Sequence, residues 1–152
     1  MKVLITGGAG FIGQRLAKRL LAKGSLKNAQ GAEEKIEQLV LFDVVPANDF
    51  SDPRVRVVTG NIADEATLAT ALDAQTASVF HLAAIVSSQA EADFDLGMRI
   101  NVDAFRLLLE SCRRLGHCPK VLFTSSVAVY GGQLPAVVQD DGFRPAVGQF
   151  GQ

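Results

Sequence analysis

The residues of this chain whose types and spacing could do chemistry fall in five places. They are the glycines of TGGAGFIG at 6–13, Asp43 at the end of LVLFD, the pair Asn61-Ile62, the run HLAA at 81–84, and the hydroxyls Thr124-Ser125-Ser126. Gly7, Gly10 and Gly13 recur at every third position, with Gly8 beside them. They follow the apolar run 3–5 and open a stretch with helical apolar spacing that carries Phe11, Ile12, Leu16, Leu20 and Leu21. Strand, glycine turn and helix in that order suit a pyrophosphate. The turn lets main-chain N–H groups approach without a Cβ in the way, and the helix start adds unpaired N–H groups with partial positive charge. Gly13, one turn into the helix, lets it pack close to the sheet. The spacing is Gly-x-x-Gly-x-x-Gly, not the commoner Gly-x-Gly-x-x-Gly, so its force comes from the strand before it and the helix after it.

A dinucleotide needs more than a phosphate cradle. Asp43 ends an apolar run, where a carboxylate can accept both ribose hydroxyls of an adenosine and would repel a 2′-phosphate. That favours NAD over NADP. It lies 30 residues beyond Gly13, further than the usual separation of about 20. The polar stretch 24–38 is expected to account for the excess as a surface excursion. Asn61 can bond an adenine edge while Ile62 covers its face, although a Gly60-Asn61 turn explains the pair equally well. Leu82, Ala83 and Ala84 are small enough to let backbone pass a ribose and a nicotinamide. His81 reads as a packed structural histidine, with no second histidine placed to help it. A hydroxyl among Thr124, Ser125 and Ser126 can polarise a carbonyl or an alcohol.

The elements that would position these groups alternate. Apolar, β-rich runs fall at 3–5, 39–42, 55–58, 79–82 and 121–123, and helical patterns at 11–23, near 32–37, at 64–72 and at 90–115. Continuous apolar strands alternating with helices predict a parallel sheet covered on both faces. Right-handed crossovers then give a doubly wound α/β Rossmann fold of three layers (αβα), in strand order 3-2-1-4-5. Ligands of such sheets sit at the carboxyl ends of the strands, where all five groups fall. The stretch 133–152, with Pro135, Gly142, Pro145, Gly148 and Gly151, shows no periodicity and is expected to be loop.

Composition narrows the class further. The chain has 152 residues, 48% of them apolar, which suits one domain with a real core. Acids and bases are mixed around a net charge of −1, with no basic stripe for nucleic acid. No apolar run nears the roughly 18 residues of a membrane span, and the start has no leader pattern. Cys112 and Cys118 read as reduced thiols, buried or half-buried, rather than as part of a metal set, so the expected compartment is the cytoplasm.

Taken jointly, TGGAGFIG, Asp43, Asn61-Ile62, HLAA, Asn101 in a helical stretch and TSSVAVYGG at 124–132 resemble the extended short-chain dehydrogenase/reductase family, which includes sugar-nucleotide epimerases and dehydratases. The stretches 87–101 and 125–141 resemble its branch that oxidises a four-carbon sugar acid, D-erythronate, at C2. The resemblance spans essentially all of the chain and implies NAD as cofactor and a small sugar acid as substrate. It also implies a homodimer formed through the 90–115 helix. The implied cofactor-binding residues are Gly7, Gly10, Phe11, Ile12, Gly13, Asp43, Asn61, Ile62, Leu82, Ala83, Ala84, Asn101 and Ser125.

In that family a tyrosine takes the substrate's hydroxyl proton, a lysine on the same helix lowers the tyrosine's pKa, and a serine orients the substrate oxygen. Ser126 matches the serine. Phe150, in Phe-Gly-Gln at 150–152, stands where the tyrosine is expected. The partner lysine is expected two residues beyond Gln152, and Tyr130, the only tyrosine, reads as the structural tyrosine of its element rather than a substitute base. The expectation is a nucleotide-binding domain, residues 1–152, incomplete at its C-terminus and without a substrate domain, that does not itself transfer hydride and exposes an apolar sheet edge. A nucleotide-sugar epimerase or dehydratase, and a non-catalytic NAD-binding module, are the alternative readings.

Overall fold

A computed structural model describes residues 1–126 and Val137. The order is β1 (Lys2–Thr6), α1 (Phe11–Lys23), β2 (Ser25–Lys27), β3 (Glu33–Lys35), β4 (Gln38–Asp43), β5 (Val55–Thr59), α2 (Glu65–Ala71) and β6 (Thr76–His81). Then come α3 (Ser87–Ala92), α4 (Phe94–Met98), a π-helical turn (Arg99–Asp103), α5 (Ala104–Arg114) and β7 (Lys120–Phe123).

β1 is buried along its whole length, so it needs neighbours on both edges and cover on both faces. It pairs in parallel with β4 on one side and β6 on the other, with Leu4 opposite Val40 and Val79. β5 extends the sheet beyond β4, and β7 extends it beyond β6, both parallel. The order β5-β4-β1-β6-β7 is 3-2-1-4-5 when the five strands are ranked along the chain.

Strand alternation divides the core into two. Val3, Ile5, Leu39 and Leu41 meet Ala17 and Leu20 of α1 on one face. Leu4, Val40, Phe42, Val58 and Val79 meet Leu68 and Ala71 of α2 and Ala104, Leu108 and Cys112 of α5 on the other. Three layers result, with the sheet in the middle.

α1 buries a narrower stripe than its apolar residues suggest. Gly13, Ala17 and Leu20 face the sheet, whereas Phe11 and Ile12 are 73% and 63% exposed. Small residues face inward because α1 lies so close to the strands. Gly24 ends the helix in the left-handed region (φ +76°), its N–H returning to Leu20 O at 2.8 Å.

Two expected helices are corrected. The stretch near 32–37 is not helical, because β3 pairs with β2 as a small antiparallel ribbon, Leu26 opposite Glu34. Its turn is built by the Asn28 side chain, which accepts from the N–H groups of Gln30 and Ala32, with Gly31 at φ +84°. Ile36 is the one large apolar residue there, too few to seat a helix, and it is fully buried beside β1 and β4 as the chain leaves the ribbon. This ribbon fills the extra length between Gly13 and Asp43.

The 90–115 stretch is not one regular helix either. The chain leaves helical geometry at Asp93 (φ −138°, ψ 89°), whose carboxylate then accepts from Leu96 N–H and starts α4 afresh. From Met98 to Ala104 the backbone stays right-handed but widens into the π turn before α5. Sequence periodicity does not register a single inserted π turn, and that turn contains Asn101.

At the sheet edge, Leu122 and Phe123 of β7 are 47% and 49% exposed. Cys112 is buried, and Cys118, expected to be at least half-buried, is exposed at φ +51°. Among the described residues no helix is long and apolar enough to cross a membrane. Tyr130, Phe150 and the expected loop at 133–152, apart from Val137, lie outside the described residues.

Candidate functional site

The turn after β1 is held from three sides. Gly8 N–H donates to Phe42 O at 3.1 Å, Gly10 N–H to Gly7 O at 3.1 Å, and Ala9 N–H to the Asp43 carboxylate at 2.9 Å. Gly7 sits at φ +71°, against the backbone of Leu82 and Ala83. Gly13 is the tightest point. A Cβ built there would lie 2.1 Å from Gly7 O and 2.9 Å from Gly8 Cα. Gly10 caps α1 in an extended conformation without a side-chain cap, so the first-turn amides open beside the turn.

Around this turn a continuous groove runs along the carboxyl ends of the strands. Its first part, about 460 Å³, is lined by Gly7, Gly10, Asp43, Asn61, Ile62, Leu82, Ala83 and Ala84, with Val44 and Ile85. A second part holds Gly7, Gly10, Phe11, Ile12, Gly13, Leu82, Thr124 and Ser125. A third holds Ala83, Ala84, Asn101, Ser125 and Ser126, with His81 at its base. Shared walls join the three. Every described candidate residue of the sequence reading therefore lies on this groove, and Phe150 lies outside the described residues.

Individual roles are sharper than the sequence suggested. Asp43 is the single charged side chain on the wall of the first part among the described residues. Its Oδ2 accepts from Ala9 N–H and its Oδ1 from Val44 N–H at 2.7 Å, so it also fastens the glycine turn. Ile62 is mostly sunk into the core cluster on the α2 side. Asn101 does not simply face the groove. Its side chain donates to Ile85 O at 3.1 Å and accepts from Ile85 N–H at 2.9 Å, clamping the segment after β6.

Thr6 was not singled out by sequence reasoning. Its hydroxyl meets His81 Nδ1 at 2.8 Å and accepts from the N–H groups of Leu82 and Ala83 at 3.2 Å each. The available signal was the threonine closing the first strand, just ahead of the glycines.

His81 is 1% exposed and stacks on Phe105 (4.9 Å between centroids) and Phe123 (5.9 Å). Burial pushes its pKa down from 6.5 to about 4. The unfolded chain then binds a proton near 6.5 that the folded chain refuses until about 4. Stability is unaffected above the upper value and falls as pH drops through this window, by up to about 3 kcal/mol. Asp52, held down to about 2 by Arg54, acts only in more acid solution. Urea denaturation at neutral pH and near pH 4.5 should show the loss, and His81→Asn should flatten it. An equal loss in the variant would exclude His81 as its source.

Glycine turn, strand-end carboxylate and hydroxyl run thus share one edge of a Rossmann-type parallel sheet. The model of the NAD-dependent epimerase/dehydratase family matches residues 3–146. The chain belongs to that family. It is 64% identical over 141 residues to D-erythronate dehydrogenase of Cupriavidus necator, covering 93% of this chain and 43% of that protein. It is 45% identical over 141 residues to D-erythronate dehydrogenase of Haemophilus influenzae, covering 92% and 42%. The chain thus spans under half the length of these curated relatives. Among solved structures it resembles DesIV, a dTDP-glucose 4,6-dehydratase of Streptomyces venezuelae with NAD bound, with TM-score 0.78 and 26% identity over 95% of this chain and 45% of that one.

Proposed function

We propose that this chain is the NAD-holding domain of a dehydrogenase acting on a small sugar acid of the D-erythronate kind. The observation that carries the reading is the single groove running from Asp43, past the glycine turn, to Ser125 and Ser126. The residues present fit the cofactor. A Cβ at Gly7 or Gly13 would press on neighbouring backbone and open the turn, so the glycines hold it tight, and the first-turn amides of α1 are there to meet a pyrophosphate. Asp43 would accept the adenosine ribose hydroxyls, Asn61 and Ile62 would flank the adenine, and Leu82 to Ala84 would border the nicotinamide half. When bound, NAD supplies the hydride acceptor. Asn101 keeps the Leu82–Ile85 backbone in place, and Ser126 would orient the substrate oxygen.

For proton transfer the 152 residues contain no tyrosine–lysine pair of the expected spacing. No Tyr-x-x-x-Lys occurs in them, and a phenylalanine ring at Phe150 has no hydroxyl to ionise. The 152-residue polypeptide therefore binds NAD without turning over. The D-erythronate class rests on the 64% and 45% identities to the two named dehydrogenases. The helical segment 90–115 would serve a homodimer.

Amide exchange mapped with and without NAD is expected to slow at the glycine turn and at Ala83. With NAD and D-erythronate together, no reduced nicotinamide should form. Reduced nicotinamide that disappears in Ser126→Ala would overturn the proposed inactivity.

A further inference from the structure

The Thr6 hydroxyl has one proton and two lone pairs. Two N–H groups, of Leu82 and Ala83, point at its oxygen. The Ala83 N–H takes one lone pair, and the Leu82 N–H is shared between the hydroxyl and Thr6 O, at 3.1 Å to the latter; with both amides on the hydroxyl oxygen, its proton is the group left to make the 2.8 Å contact to His81 Nδ1. In that arrangement the ring nitrogen is the acceptor and the ring proton sits on Nε2. A ring protonated on Nδ1 would instead offer a third donor to the same oxygen, and the hydroxyl could keep its two amides only by giving up the short contact.

We infer that His81 is a positioning residue for the nucleotide groove: by accepting the Thr6 proton it aims the Thr6 lone pairs at the Leu82 and Ala83 amides and fixes the backbone against which Gly7 is packed. The link is short. Thr6 is the last residue of β1 and immediately precedes Gly7, and a Cβ on Gly7 would come within 2.9 Å of Ala83 N. A shift of Leu82 and Ala83 would therefore reach the phosphate cradle directly.

Among the described residues the ring meets Thr6 from β1, Phe105 from α5 and Phe123 from β7, none of them charged. Burial is the cause that holds the ring neutral, and neutrality is what the Thr6 contact requires. In a short-chain domain this gives the histidine of HLAA work that is neither catalysis nor ligand contact.

The inference rests on the NAD reading for its consequence but not for its geometry, and two measurements separate them. Nitrogen-resolved NMR of the imidazole rings in the NAD-free chain should show His81 with its proton on Nε2. A proton on Nδ1 would overturn the inference whatever NAD does. NAD affinity at neutral pH should fall roughly tenfold in His81→Leu and in Thr6→Val, and should return to within about threefold in His81→Asn, whose amide oxygen can accept from Thr6. His81→Asn as weak as His81→Leu, both folded by circular dichroism, would mean that ring packing rather than the acceptor matters and would refute the role. Should no form bind NAD, the NAD reading fails, and the tautomer alone still decides the inference. The tautomer likewise decides should His81→Leu not fold.

Discussion

Gly13→Ala is expected to unfold the glycine turn and abolish nucleotide binding, although alanine is the better helix former. In an exposed helix this change stabilises by about 1 kcal/mol. At Gly13 the new methyl would stand 2.1 Å from Gly7 O, less than two-thirds of an ordinary carbon–oxygen contact, and 2.9 Å from Gly8 Cα. Both obstacles are backbone and neither can rotate away. Relief requires lifting α1 off the sheet, which separates Ala17 and Leu20 from Val3, Ile5, Leu39 and Leu41. Overpacking on this scale costs on the order of 4 kcal/mol, well above the propensity gain. Gly10→Ala gives the internal comparison. A Cβ there meets Gly7 O at 3.2 Å, a contact that a few tenths of an ångström relieve, so its loss should be much smaller. Thermal unfolding of the two variants orders them. A midpoint for Gly13→Ala at or above that of the wild type would contradict the close packing of α1 on the sheet.

The second large effect is at Asp43. Asp43→Ala removes the sole carboxylate that the described residues place on the wall of the first part of the groove, and leaves the Ala9 N–H without its acceptor. Hydrogen bonds to a charged group contribute about 1.5–3 kcal/mol each, so NAD affinity should drop by roughly one to two powers of ten. The repulsion of a 2′-phosphate goes with the charge, and NADP should then bind about as well as NAD. Asp43→Asn separates the roles. It keeps an oxygen for Ala9 N–H and for one ribose hydroxyl, so it should lose discrimination more than affinity. Titration of the three proteins with both nucleotides checks this. Wild-type chain that takes NAD and NADP equally would remove Asp43 from the ribose.

Most of this site is legible in the amino-acid sequence, for a physical reason. The cradle, Asp43, Asn61 and the Thr-Ser-Ser run are each local strand-end signals, and a parallel sheet gathers strand ends on one edge whatever the helices do. The buried runs of β1 and β4 likewise announce themselves, because a strand covered on both faces must be apolar throughout. What is hidden depends on contacts between distant residues. The β2–β3 ribbon is set by the Asn28 side chain and by where Ile36 is buried, and its charged pattern resembles a helix face. The break at Asp93 and the π turn leave the apolar periodicity almost untouched. The Thr6–His81 contact joins residues 75 apart in the chain, and its meaning emerges only when the two amides on the same oxygen are counted.

The central claim is that the glycine turn and Asp43 form a working NAD site within these 152 residues. Calorimetric titration of the folded chain with NAD tests it most directly. The expected result is saturable binding of one NAD per chain, lost in Gly10→Val, whose branched side chain crowds Gly7 O, and weakened in Asp43→Ala. No saturable heat from a chain whose circular dichroism is that of a folded α/β protein would contradict it.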